Sequence, residues 1–254
     1  MSFDGIGAEE LRQLIGVPRL ELHESVGSTL DIAHELAAKG SPAGTLVLAN
    51  EQLAGRGRGG RTWASEPGRG IWLTIVERPP DAGAVGVLSL RLGLEAASAL
   101  DVFAPEHVQL KWPNDLYCDR RKLGGVLVEM RWRSERPEWV AIGLGINVAA
   151  PRSLPAAGEL QPGTSRVEVL AALVPALRRA ALVRGSLTPG ELAEFASRDI
   201  AAGRRCTRPV PGVVRGITPA GELRVAITAG EATFRGGSLL LETGPEEAGE
   251  RVST

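Results

Sequence analysis

The apolar positions of this chain repeat with two different periods. Residues 28–39, STLDIAHELAAK, recur at helical spacing and open on Ser28-x-x-Asp31, a variant of the capping box. GTLVLANEQ (44–52) and GIWLTIVE (70–77) are β-branched, apolar runs that predict strands, the second closed by Pro79-Pro80. A broad apolar face predicts a helix over 83–103. Three strand-like runs follow: HVQLKWPNDLYCD (107–119), KLGGVLVEMRW (122–132) and EWVAIGLGINV (138–148). The turns between them are too short for crossover helices. They predict antiparallel pairing and an α+β fold, a mixed or antiparallel sheet packed with helices, in place of a doubly wound one. Two more helices are expected, over 165–184 behind the box Ser165-x-x-Glu168 and from Thr188-Pro189-Gly190-Glu191, with the proline at N1.

After about residue 201 the runs shorten and turn signals multiply, at Pro219-Ala220-Gly221 and Ala229-Gly230. The pattern divides the chain into a larger domain (1–200), a small barrel-like β module (201–245) and an acidic tail (246–254) expected to be disordered.

Composition narrows the function. Lys plus Arg is 29 against 30 Asp plus Glu, so no basic excess suggests a nucleic-acid partner. The start, MSFDGIGAEELRQL, lacks the basic and apolar regions of a secretory signal. The longest apolar stretch, 85–100, is interrupted by Arg91 and Glu95, which reads against a membrane span. Together these predict a cytoplasmic protein with no membrane partner. Two cysteines and three histidines are scattered without zinc spacing. Only three of the 29 basic residues are lysine, Lys39, Lys111 and Lys122, and the last two lie close together. Lysine kept at these positions suggests a role for which arginine is unsuited.

The segment GRGRGGRTW (55–63) satisfies G-x-G-x-x-G, yet RTWASEPGRGIW after it is no helix, so a dinucleotide site lacks its helix N-terminus. The alternative is a flexible loop that lets backbone approach an anion while Arg56, Arg58 and Arg61 supply charge-assisted contacts. Their mutual repulsion implies a loop that is mobile when empty. KWPNDLY (111–117) sets Lys111, Asn114 and Asp115 around a turn. RKLGGVLVEM (121–130) puts Lys122 before Gly124-Gly125, and GLGINV (143–148) ends on Asn147 and Val148.

In this order and spacing, GSTL (27–30), EQLAGRGRGGRTW (51–63), KWPNDLY, KLGGVLVEM and GLGINV resemble the biotin protein ligases, from about residue 20 onward. The resemblance implies a catalytic domain of the class II aminoacyl-tRNA-synthetase-like, biotin–lipoate ligase type, followed by an SH3-like barrel. It implies ATP, biotin and Mg²⁺, formation of biotinyl-5′-AMP, and transfer to a lysine of a biotin carboxyl carrier protein. It places Lys122 and Arg58 at the chemistry. Biotin would meet Ser28, Thr29, Gln52, Gly55, Arg56, Gly57, Arg58, Lys122 and Gly124. ATP and the adenylate would meet Arg56, Arg58, Arg61, Trp63, Lys111, Asn114, Asp115, Lys122 and Asn147, with Asp115 a weak candidate near Mg²⁺. The family's Ser-Thr-Asn reads Ser28-Thr29-Leu30 here, which removes one side-chain contact. Only about twenty residues precede the first core strand, too few for the winged helix of some relatives. Oligomeric state is left open between monomer and homodimer. The competing readings are a lipoate or octanoate ligase or transferase of the same fold, which lacks KWPND, and a non-catalytic sensor of biotin or nucleotide.

Overall fold

The computed structural model describes residues 1–79, 81–134 and 136–242, so the tail expected to be disordered lies outside them. A short hairpin of β1 (Ser2–Phe3) and β2 (Ile6–Gly7) precedes α1 (Ala8–Leu14). These three elements are too short to carry a period and escape the pattern. Then come β3 (Leu20–Val26), α2 (Thr29–Ala38), β4 (Thr45–Gln52), β5 (Gly70–Glu77), α3 (Ala82–Leu100), β6 (Gln109–Lys111), β7 (Asp115–Cys118), β8 (Arg121–Arg133) and β9 (Arg136–Asn147). Helices α4 (Arg166–Ala181) and α5 (Pro189–Arg198) follow.

One seven-stranded sheet, in the order β3-β4-β5-β9-β8-β7-β6, unites the strands from β3 to β9. It is mixed: β3 and β4 run parallel across the α2 crossover, and all other neighbours are antiparallel. α3 and α4 pack on one face over Leu46, Leu48, Ile71, Leu73, Ile75, Ile142 and Leu144, all nearly inaccessible. α2 covers part of the other face, over Val47, Val76 and Ala141. Gly83–Leu100 of α3 is long and apolar enough to cross a membrane, and 67% of it is buried within this fold. Its Arg91 does not disrupt that packing, because Glu191 of α5 accepts from its Nε at 2.5 Å.

The last strands, β10 (Arg205–Arg208), β11 (Gly212–Ile217), β12 (Leu223–Ile227), β13 (Gly230–Phe234) and β14 (Leu240–Leu241), form an antiparallel sheet ordered β13-β12-β11-β10-β14. Among the described residues β13 and β14 do not pair, so these strands make an open sheet. Cys206, Val214, Leu223, Val225 and Leu239 join the α3 side of the main core, which continues across residue 200.

Candidate functional site

Cross-strand register sets Ala49, Trp72, Gly145, Gly125 and Asp115 in one row, and Val47, Thr74, Gly143 and Leu127 in the next. Glycine at the middle of both rows removes the side chains that would otherwise fill the α2 face. A cavity of about 680 Å³ results, floored by Gly125, Gly143 and Gly145. Its walls are residues 56–63, the turn of KWPNDLY, and 237–240 from the C-terminal sheet.

The glycine-arginine segment is a closed hairpin. Gly57 N–H donates to Arg61 O at 2.7 Å and Trp63 N–H to Gly55 O at 2.8 Å. A single 3-10 turn, Arg58–Gly60, forms its tip, with Gly59 and Gly60 at φ of 69° and 77°. A Cβ on Gly55 would lie 2.6 Å from Trp63 O, so glycine here serves the close approach of the hairpin's own two arms. The like charges are partly offset within the fold. Arg56 Nη2 sits 2.9 Å from Asp31 Oδ1 and 3.2 Å from Glu129 Oε2. Glu129 also contacts His34 Nε2 at 3.0 Å, whose Nδ1 accepts from Trp139 Nε1 at 3.0 Å. Arg58 Nη1 donates to Gly237 O at 2.8 Å. Partial desolvation pushes the Arg58 guanidinium below its ordinary value, with Asp115 opposing and Arg61 adding to the shift, although the residue keeps much of its solvent exposure.

Both clustered lysines reach the cavity, while Lys39 lies on the surface 3.8 Å from Glu35. A register shift between Leu116 and Tyr117 decides this for Lys122. Leu116 pairs with Gly124 but Tyr117 pairs with Lys122, so Leu123 bulges into the core and Lys122 turns to the cavity face. Its Nζ meets Asp115 Oδ1 at 2.8 Å and lies 5.4 Å from the Trp63 ring centroid. Lys111 Nζ donates to the Tyr117 hydroxyl at 3.3 Å. Asn114 Nδ2 donates to Val126 O at 2.8 Å and fixes the turn to β8.

The other end of the cavity is neutral. Gln52 Oε1 accepts from Thr29 N–H at 2.9 Å and from its hydroxyl at 3.0 Å, and Thr74 shares that hydroxyl at 2.9 Å. Leu30 and Leu127 line the wall beside them. Ser28 does not cap α2 through its side chain as the sequence pattern predicts. Asp31, the other member of the expected box, faces Arg56, and the Ser28 hydroxyl is buried without a partner among the described residues.

Of the predicted site residues, Thr29, Gln52, Arg56, Gly57, Arg58, Arg61, Trp63, Lys111, Asn114, Asp115 and Lys122 line the cavity; Ser28, Gly55, Gly124 and Asn147 stand behind it. Asn147 is a buried brace: its Nδ2 donates to Gly158 O at 3.2 Å and Lys122 O at 3.4 Å. Sequence reasoning missed Tyr117, Gly143, Gly145 and the wall at 237–240. The glycine pair in GLGINV, spaced by two on one strand face, was the available signal for two of them. Among the described residues Asp115 is the one carboxylate on the wall, and no cluster of three or more His, Cys, Asp or Glu could hold a metal.

The biotin/lipoate A/B protein ligase family model matches residues 22–147, which hold every segment just described except the C-terminal wall. The biotin–[acetyl-CoA-carboxylase] ligase of Mycobacterium tuberculosis is 31% identical over 218 residues, 79% of each chain. The chain belongs to the biotin protein ligase family. The bifunctional ligase/repressor BirA of Bacillus subtilis is 38% identical over 133 residues, 50% of this chain and 39% of that protein. This chain thus aligns with less than half of that relative's length. The fold is that of the Aquifex aeolicus biotin protein ligase solved with biotin and ATP, at a TM-score of 0.73 and 23% identity over 89% of this chain and 100% of that one.

Proposed function

We propose that this member of the family is an ATP-dependent biotin protein ligase that carries out two transfer steps in the one cavity. The carboxylate of biotin attacks the α-phosphate of ATP, the bond to the β-phosphate oxygen breaks, and pyrophosphate leaves biotinyl-5′-AMP bound. A lysine amine of a biotin carboxyl carrier protein then attacks the acyl carbon, and AMP departs.

The observation that carries this reading is the division of the cavity. A neutral end built from Thr29, Gln52, Leu30 and Leu127 adjoins a cationic end bearing Lys111, Lys122, Arg58 and Arg61. A ureido ring needs neutral donors and acceptors, which Thr29 and Gln52 offer on the wall, with the buried, unpartnered Ser28 hydroxyl behind Thr29. A dithiolane ring has no use for them, which favours biotin over lipoate. Joining a carboxylate to a phosphate brings two anions together, so fixed cations must offset their repulsion and the charge of the transition state. Lys122 is suited to that role, because a slim ammonium enters a crowded point that a guanidinium would fill. Arg58, Arg61 and Trp63 close over the adenylate, while Lys111, Asn114 and Asp115 face the nucleotide. Asn147 acts from behind, by holding the Lys122 carbonyl. Arg56, held by Asp31 and Glu129, closes the loop as well as facing the ligand.

Mg²⁺ fits this site only as a partner of the nucleotide. One wall carboxylate, Asp115, suits an ion that arrives with phosphates and keeps its waters, and the ion would screen the phosphate charge there. The open sheet of 201–242 is read as the small SH3-like module, closing the nucleotide end through 237–240.

Biotin-dependent ATP–pyrophosphate exchange tests the reading, with lipoate as control. Exchange with biotin alone is expected, and Lys122→Ala should lower it by at least about a hundredfold. Exchange with lipoate but not biotin would overturn the assignment.

A further inference from the structure

We infer that Trp63 is a positioning residue for Lys122 and that Gly145 is the seat that makes this possible. Resting on the function proposed above, this role links closure of the glycine-arginine hairpin to the placement of the reacting cation. Lys122 is held from two directions. Asp115 Oδ1 on β7 stands 2.8 Å from its Nζ, and the indole face of Trp63 lies 5.4 Å away, centroid to nitrogen. An ion pair alone leaves a long, flexible ammonium free to follow its carboxylate. A π face from a second element restricts that freedom, because the attraction is strongest over the ring.

The indole is in turn fixed on β9. A Cβ built on Gly145 would come within 2.5 Å of Trp63 Nε1 and 2.7 Å of Cε2, so only glycine admits the ring at this position. Trp63 Nε1 is buried there and has no hydrogen-bond partner among the described residues. Steric fit against the Gly145 backbone, not a hydrogen bond, therefore orients the ring. Gly145 also needs no positive φ, which leaves this close approach as its evident requirement. The Trp63 backbone closes the hairpin by donating to Gly55 O at 2.8 Å. The ring thus reaches its seat together with the closing of the hairpin, and Lys122 gains its second contact at that moment. A loop that is open leaves Lys122 with Asp115 alone.

Steady-state exchange kinetics on the full chain test this, with thermal melting to confirm that each variant is folded. Trp63→Leu is expected to lower kcat about tenfold, the size of a partly desolvated cation–π contact, with KM for biotin and ATP within about twofold. Trp63→Phe keeps a π face and should recover most of the loss. Gly145→Ala leaves both Trp63 and Lys122 chemically intact yet should reproduce it, and adding Trp63→Phe to Gly145→Ala should restore activity because a smaller ring clears the new methyl. A purely structural role would appear in the melting temperature, not as a kcat loss at unchanged KM that Phe recovers. A rise in KM with kcat unchanged in Trp63→Leu would mean that the ring is only a ligand contact and would overturn the inference. So would a Phe variant no better than Leu, or a double variant no better than Gly145→Ala. Should Gly145→Ala fail to fold, the Leu and Phe pair decides the matter. Wild-type protein without biotin-dependent exchange would overturn the proposed function and this inference with it; normal wild-type exchange with any of the adverse results overturns the inference alone.

Discussion

Asp199 shows how much a single position depends on its neighbours. Asp199 follows the last residue of α5, and its carboxylate accepts from Ala201 N–H at 2.8 Å. Burial pushes its pKa up to about 6, against the lowering effect of the Ala201 and Ala202 amides. The folded chain therefore holds this proton more tightly than the unfolded one. The stability it contributes is complete below about pH 4, the ordinary Asp range, and is lost as pH rises through about 6. Asp199→Asn keeps the acceptor and removes the charge. It should stabilise the protein by on the order of 2 kcal/mol above pH 7 and leave it unchanged near pH 4, as thermal denaturation at the two pH values will show. Nothing in SRDIAAG announces this, because desolvation is a property of what packs around a residue. Lys111 and Lys122 were legible for the opposite reason: a lysine kept in an arginine-rich chain is visible in composition alone.

Among the elements, the hairpin of residues 55–63 is held by α2 and β8 through Arg56, Asp31 and Glu129. Its glycines and arginines were evident in the sequence, but the acids that restrain it come from separate elements and carried no signal. Removing both charges with Asp31→Asn and Glu129→Gln should loosen the hairpin at Arg56. Release of bound adenylate is expected to accelerate about fivefold, a value set by two partly exposed, screened ion pairs. A chase experiment with labelled biotinyl-5′-AMP measures it directly, and high salt should narrow the gap between wild type and variant. An unchanged release rate would show that Arg56 takes no part in closure. Apart from α1, the helices were foreseen to within a few residues. α3 ends at Leu100, and the Asp101 carboxylate just beyond it accepts from Val108 N–H at 2.8 Å and pairs with Arg198.

Across the molecule, two contacts key the C-terminal sheet onto the cavity. Arg58 reaches Gly237 O, and Trp112 Nε1 donates to Gly221 O at 3.0 Å. Trp112 is buried, so Trp112→Phe leaves a buried carbonyl without its donor. The expected loss is about 1–3 kcal/mol of stability, from denaturant unfolding. Exchange kinetics should show KM for ATP rising more than KM for biotin, since the sheet borders the nucleotide end. An equal rise in both would count against that placement. The continuous core across residue 200 gives the same expectation for unfolding: one transition is predicted, not two.

Whatever depends on local order could be read along the chain. Periodicity in 28–39, 70–77 and 165–184 marked helices and strands, short turns imposed antiparallel pairing from β6 onward, and the spacing of GRGRGGRTW, KWPND and KLGGV identified the family. Whatever depends on register and surroundings emerged only on folding. A one-residue bulge at Leu123 turns Lys122 toward the cavity, a side-chain choice that the period of two in β8 would have reversed. Glycines 143 and 145 became a floor only when neighbouring strands brought Gly125 beside them, while Ser28 makes no side-chain cap and Asp31 pairs with Arg56. The cause is common to all of these: periodicity tells which residues share a face, whereas contacts across strands and loops determine which face meets the ligand.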